Sequence, residues 1–206
     1  MALDTYANLQ TAIANWIWRT GETATVAAIP DMITMAEAYF NRVLRCDDMD
    51  AVSATLAFTD GVATVPAGFR QMKSVRLVAS PGGRLTYRPM DYIENLDDDA
   101  TQDPVYWTRV GSEFHIWPRK TVTLRVRYRE AIPALADDNT SNWLLAKHPD
   151  LYLNCACSMG EQYVMNDPRI AIWKAETMRI IGEINGEDFL IAGDGLEVAP
   201  SVGTVI

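Results

Sequence analysis

Histidine is nearly absent from this chain. There are two, His115 and His148, and neither adjoins a cysteine or serine in a recognisable nucleophile context. A catalytic triad would have to be gathered from scattered parts. Cysteine is almost as sparse. Cys46, Cys155 and Cys157 make an odd set of three; two apart on a helix, Cys155 and Cys157 face different sides, and no further Cys/His cluster completes a zinc site. They read as small buried residues of a reducing compartment. Long apolar runs are missing as well. The longest uncharged stretch, 5–18, contains Asn8, Gln10 and Asn15, well short of the roughly 20 apolar residues of a membrane span. The first residues lack the basic and apolar regions of a signal peptide, so a soluble protein made in a cytoplasm is expected. No phosphate-binding glycine loop, dinucleotide fingerprint, H-E-x-x-H or EF-hand pattern occurs, and neither cofactor nor metal is expected. Basic residues are outnumbered, 18 to 27, for a net charge of −9. That balance argues against nonspecific grip on a phosphate backbone, yet it suits a surface that DNA passes without sticking.

The chain is rich in core-forming material. Of its 206 residues, 49% are hydrophobic and 9% aromatic, enough for a sizeable core. Residues 4–19 follow a helical period through Leu9, Ile13, Trp16 and Ile17, with Asp4 or Thr5 as cap. A Gly/Thr/Ala linker, 20–28, precedes a second helix over about 30–45. Pro30 suits its first turn; Ile33, Ala36, Phe40 and Val43 form its stripe, and Glu37, Asn41, Arg42 and Arg45 are expected to face outward. From residue 51 the period becomes two. Asp60-Gly61 signals a tight hairpin turn, Pro81-Gly82-Gly83 separates strands at 72–79 and 84–88, and a helical turn at 90–96 leads to Asp97-Asp98-Asp99. A hairpin around Gly111-Ser112 follows. In 121–129, Val122, Leu124, Val126 and Tyr128 share one face while Arg125, Arg127 and Arg129 share the other.

Helices then return. Pro149 opens one reaching about Met165 whose first half, 151–160, bears no charge and should be central to a bundle. Asp167-Pro168 restarts another, ending near Gly186. The fold class is therefore α+β: a discontinuous four-helix bundle (1–49 and 141–186), an inserted small antiparallel β-domain of sandwich or barrel form (50–140), and an extended C-terminal arm (187–206).

Chemistry is hard to assemble from these parts. Asp47/Asp48/Asp50, Asp97–Asp99 and Asp137/Asp138 lie in connections, where carboxylates commonly terminate elements, and Asp97–Asp99 lacks the spaced oxygens of a calcium loop. A hydrolase using a carboxylate pair would need two acids converging across a groove. A carbohydrate- or partner-binding β-module on a helical stalk would need an aromatic platform, with Tyr106, Trp107 and Trp117 as candidates. The three arginines repel one another unless acids or phosphate lie opposite. Carboxylates of the same or a neighbouring subunit are the expected partners, ahead of DNA, and a solvated face is the alternative.

Five stretches carry a resemblance: N-L-Q-T-A-I-A-N-W-I-W-R (Asn8–Arg19), I-P-D-M-I-T-M-A-E-A-Y-F-N-R-V-L-R (Ile29–Arg45), F-T-D-G-V-A-T-V-P-A-G-F (Phe58–Phe69), P-V-Y-W-T-R-V-G (Pro104–Gly111) and N-W-L-L-A-K-H-P-D-L-Y-L (Asn142–Leu153). With Tyr163, Asp167, Arg169 and Trp173 they resemble, in order and spacing, the head–tail adaptor (connector) proteins of tailed, particularly short-tailed, bacteriophages. The resemblance covers most of 8–173. It implies a structural protein with no catalytic residues. The expected assembly is a ring, dodecameric when assembled, in the virion neck. It would sit between the portal protein and the tail nozzle or tail tube, extend the DNA channel, and be made in the host bacterial cytoplasm. Self-repulsion predicts a monomer before assembly. On this reading Asp97, Asp98, Asp99, Asp137 and Asp138 face the channel, and Arg125, Arg127 and Arg129 meet a neighbouring subunit. Leu196, Val198, Val202, Val205 and Ile206 of the arm bind the portal, alternate side chains filling pockets.

Overall fold

Thr5 starts the first helix, its hydroxyl accepting the Asn8 backbone N–H at 3.3 Å. A computed structural model describes residues 3–78, 83–160, 165 and 167–193. Helix α1 (Tyr6–Trp16) buries Leu9 and Ile13, and Ile17 continues the stripe just beyond it. Trp16, expected in that stripe, is 46% exposed. It is the last helical residue, next to a left-handed turn at Trp18 (φ 57°), and its carbonyl accepts from Arg169 Nη1 at 3.0 Å. The expected linker holds a short helix, α2 (Thr23–Ala27), because its backbone bonds run on through Ala28 into α3 (Ile29–Val43). Helix α3 buries Met32, Ile33, Ala36 and Phe40. It also buries Glu37, against the expectation that this side chain faces outward, while Asn41 is half-buried.

The β unit comes next in the chain. Its elements are β1 (Asp50–Phe58), β2 (Val62–Thr64), β3 (Phe69–Leu77), β4 (Thr86–Tyr87), α4 (Met90–Ile93), β5 (Tyr106–Val110), β6 (Glu113–Trp117) and β7 (Val122–Glu130). They form two sheets, β1-β7-β3 and β2-β6-β5-β4. Phe58, Val75, Leu124, Val126 and Tyr128 from the first sheet share one core with Ala63, Phe114 and Ile116 from the second, and with Leu85. The strand period of two puts these apolar residues on one side. One expectation fails: the sheets are not wholly antiparallel. The β4–β5 pair is parallel, since the chain after β3 first folds back on it (Leu85 N–H to Val75 O, 2.9 Å) and then crosses to the second sheet. The expected turn at Pro81-Gly82-Gly83 lies partly outside the described residues.

Asp60 (φ 49°) and Gly61 (φ 77°) make the tight turn that their sequence signals, closed by reciprocal Thr59–Val62 bonds of 2.9 and 3.0 Å. The strands it joins part into different sheets. A Cβ on Gly61 would lie 2.7 Å from Arg119 Cγ and 3.0 Å from its backbone Cα, whereas one on Gly111 (φ 59°) would meet nothing. The left-handed backbone alone costs an L-residue about 1–2 kcal/mol. Gly61→Ala therefore lowers the denaturation free energy by more than Gly111→Ala, which carries only the backbone term; equal losses in urea denaturation would contradict the packing argument.

After β7 the helices resume with α5 (Trp143–Lys147), α6 (Pro149–Met159) and α7 (Arg169–Gly193). Every residue of 151–158 is buried, as the lack of charge predicts, and α1, α3 and α7 all pack on α6. Asp167 accepts the Arg169 N–H at 2.9 Å and launches α7. That helix passes the expected stop at Gly186 and runs to Gly193. Glycine within a helix costs about 1 kcal/mol relative to alanine, a penalty rather than a break. Side chain replaces backbone at the far end of α3: Asn185 accepts the Arg45 N–H at 2.8 Å and donates to Val43 O at 3.2 Å. These contacts lie in one of two compact units, Met1–Asp47 with Ile132–Ile206; the other is Asp48–Ala131.

Candidate assembly surfaces

The acidic loop is built from its own polar contacts. Asp97 O accepts from Trp117 Nε1 at 3.1 Å. Asp98 accepts from the Arg119 backbone N–H (2.8 Å) and from its Nε (2.6 Å). Those bonds, the backbone one foremost, hold the Asp98 carboxyl below the usual carboxylate range. Asp99 accepts from the Thr101 hydroxyl and N–H and from Gln102, and is likewise lowered. Lys120 pairs with Asp103 at 2.9 Å. The carboxylates thus fasten the loop to β6–β7 rather than converging on one another. All three of Asp97–Asp99 are exposed, as are Asp137 and Asp138, which stand at the tip of a turn closed by Ala136–Asn139 bonds of 3.0 and 3.1 Å.

The three arginines divide. Arg125 and Arg127 are exposed, but Arg129 is buried, with Nε 3.8 Å from Asp50 Oδ1. Asp50 faces Arg129 across the β1–β7 register and also takes Lys73 at 2.6 Å. Nothing in a period-two pattern announces a partner 79 positions upstream.

The aromatic candidates are half-buried and engaged. Trp107 packs edge-on against Tyr87 and Phe114 (centroids 5.1 and 6.0 Å), Tyr106 meets Tyr92 at 5.8 Å, and Trp117 lies under Arg119 at 5.2 Å. These three rings are packed edge-on or against an arginine rather than laid side by side. The cysteines are buried free thiols, and burial pushes Cys155 and Cys157 up to about 12. His115 lies 3.5 Å from Glu113, and His148 occupies the N-cap position of α6 without capping it through its side chain. Among the described residues no group of three His, Cys, Asp or Glu could hold a metal, and no helix is long and apolar enough to cross a membrane.

A buried polar network escaped the pattern reading. Glu37 Oε1 accepts the Leu135 N–H at 2.8 Å and the Tyr152 hydroxyl at 3.1 Å; Tyr152 in turn accepts from Asn142 Nδ2 at 2.8 Å. Asn142 also caps α5 through Leu145 N–H (2.8 Å) and donates to Pro133 O (2.7 Å). Desolvation raises the Glu37 carboxyl above its ordinary value. The signal was available: at 100° per residue, position 37 lies about 40° beyond Ile33, at the edge of the apolar arc. Its charge, not its spacing, argued for the surface.

A helical unit wrapped on α6, a two-sheet insertion, and carboxylates spent on loop closure describe a scaffold more than a reaction centre. A family model described as SU10 adaptor protein matches residues 4–195, and the chain belongs to that family. It is thus a phage adaptor, a structural component of the virion concerned with tail assembly and with contacts to other head and tail proteins. No curated protein matches the chain.

Proposed function

We propose that the chain forms a closed ring joining the portal to the tail and extending the DNA channel. The family match over 4–195 carries this reading. Closed rings arise when one surface of a subunit meets a different surface of the next through a rotation that closes. Copies bind the portal on one side and offer a platform to the tail nozzle or tube on the other. Asp97–Asp99 and Asp137–Asp138 line the channel, where ionised carboxylates leave DNA no ladder of cation–phosphate contacts to break. Arg125, Arg127 and Arg129 serve the subunit boundary, Arg129 from within through Asp50. Synthesis takes place in the host bacterial cytoplasm.

Leu196, Val198, Val202, Val205 and Ile206 form the portal-binding arm on this reading; all five lie outside the described residues, beyond the end of α7 at Gly193. Backbone pairing along a partner's edge, with alternate apolar side chains in pockets, suits such a segment. Truncation after Gly193 leaves the melting temperature of the free chain nearly unchanged and weakens binding to the portal ring sharply. Undiminished portal affinity of the truncated chain disposes of the arm.

A further inference from the structure

The net charge of −9 is not spread over the chain. The helical unit (1–47 and 132–206) has sixteen acidic and seven basic side chains, hence −9; the β unit (48–131) has eleven of each, hence zero. Within the β unit six of the eleven basic groups gather on one surface. Arg125 stands opposite Arg76 in the β7–β3 register, and Arg76 opposite Arg84, so three arginines sit side by side across the outer face of the β1-β7-β3 sheet. Arg127 is two residues along β7 on the same face, and Lys73 and Arg129 complete it. Asp50 faces Lys73 and Arg129 there, and the four arginines beyond them leave the face with an excess of basic groups. Arg76, Arg84, Arg125 and Arg127 are all exposed, and none forms an ion pair with a described carboxylate.

Like charges directly opposite on a sheet destabilise it. A fold that keeps Arg76 beside both Arg125 and Arg84 gains nothing from them within the chain. We infer that this arginine face is the docking surface for the acidic helical unit of the next copy of the same chain. The inference rests on the ring reading above and names the two surfaces that close it. Complementary charge fits: an arginine-rich surface meets a unit of −9, two different patches pair head to tail, and such contacts generate rings. An acidic protein that repels its own copies in bulk can associate in this one orientation. Duplex DNA is the competing occupant of an arginine face, and the test separates it.

The triple reversal R76E/R125E/R127E exchanges the Arg76–Arg125 repulsion for one between two glutamates and turns the Arg76–Arg84 repulsion into an attraction, so the variant is expected to fold with a melting temperature close to that of wild type. Mixed with the portal ring at low salt, wild type forms closed rings in negative-stain images; the variant is expected to bind as scattered single copies, with the yield of closed rings lower by roughly tenfold or more. A second variant, R125K/R127K, keeps the charge and admits zero-length carbodiimide coupling. In rings assembled from differently isotope-labelled copies it should link those two positions to carboxylates in 1–47 or 132–206 of another copy. Normal rings from the triple variant, or links confined to one copy or to the portal, overturn the proposal and leave the ring reading intact. Wild type that never closes a ring overturns both. Wild-type binding to a labelled DNA duplex that the triple reversal abolishes, with ring yield unchanged, assigns the face to DNA instead.

Discussion

Glu37→Ala lowers the unfolding free energy of the helical unit by about 3 kcal/mol, and Glu37→Gln does not. The alanine variant strips the acceptor from two buried donors, the Leu135 N–H and the Tyr152 hydroxyl, and each unsatisfied buried group costs about 1–3 kcal/mol. For a chain of this length that loss corresponds to a melting temperature lower by roughly 6–12 °C. Glutamine keeps an oxygen at the same place and carries no charge. The pH dependence has a definite sign. Because burial raises the folded-state pKa of Glu37 above its ordinary value, the folded chain holds that proton more tightly than the unfolded one. The associated stability is fully present below the unfolded carboxylate pKa and is lost as pH rises through the folded value. Glu37→Gln relative to wild type should therefore become more favourable between acidic and neutral pH, as read from urea denaturation at several pH values. Equal destabilisation by alanine and glutamine, or a wild-type advantage that grows with pH, contradicts the network.

Asp50→Ala is expected to cost the β unit about 3 kcal/mol, within the range for breaking one half of a buried ion pair. Arg129 is buried, and its Nε has no hydrogen-bond partner, while Asp50 Oδ1 3.8 Å away has none either. Geometry of that kind gives little attraction beyond cancelling charge. Removing both charges together, in Asp50→Ala with Arg129→Met, should recover most of the loss, because an apolar replacement of a buried pair is often neutral or better. A double variant as unstable as Asp50→Ala alone, measured by denaturant unfolding, shows that the pair contributes more than neutrality.

These two sites mark where sequence reasoning stopped. The uncharged run 151–158 could be read as the central helix, since nothing in it tolerates water better than its neighbours, and all eight residues are buried. The alternation of Val122, Leu124, Val126 and Tyr128 placed the inner face of β7. Glu37 and Arg129 sit at core-facing or buried positions despite their charge, and each has its partner remote in sequence: Leu135 and Tyr152 donate to Glu37, and Asp50 sets its opposite charge beside Arg129. Local periodicity contains no information about such partners. Strand β4 is two residues long, too short to show a period, so its parallel pairing with β5 was invisible. Gly186 suggested a helix stop that tertiary contacts override: Asn185, one residue before it, ties α7 to the end of α3. The arginine face was visible only as one stripe on β7. Arg76 and Arg84 join it through strand register, which the chain order does not reveal.

Membership of the adaptor family makes the chain part of the virion; the claim that most needs testing is the ring. Mass photometry of the full-length chain mixed with its portal ring measures it directly. The proposed function predicts a discrete complex whose added mass equals many copies of the 23.0 kDa chain, twelve on the dodecamer that the family resemblance implies, with no species heavier than the closed ring. A complex gaining the mass of one copy, or a portal whose mass does not change, contradicts it.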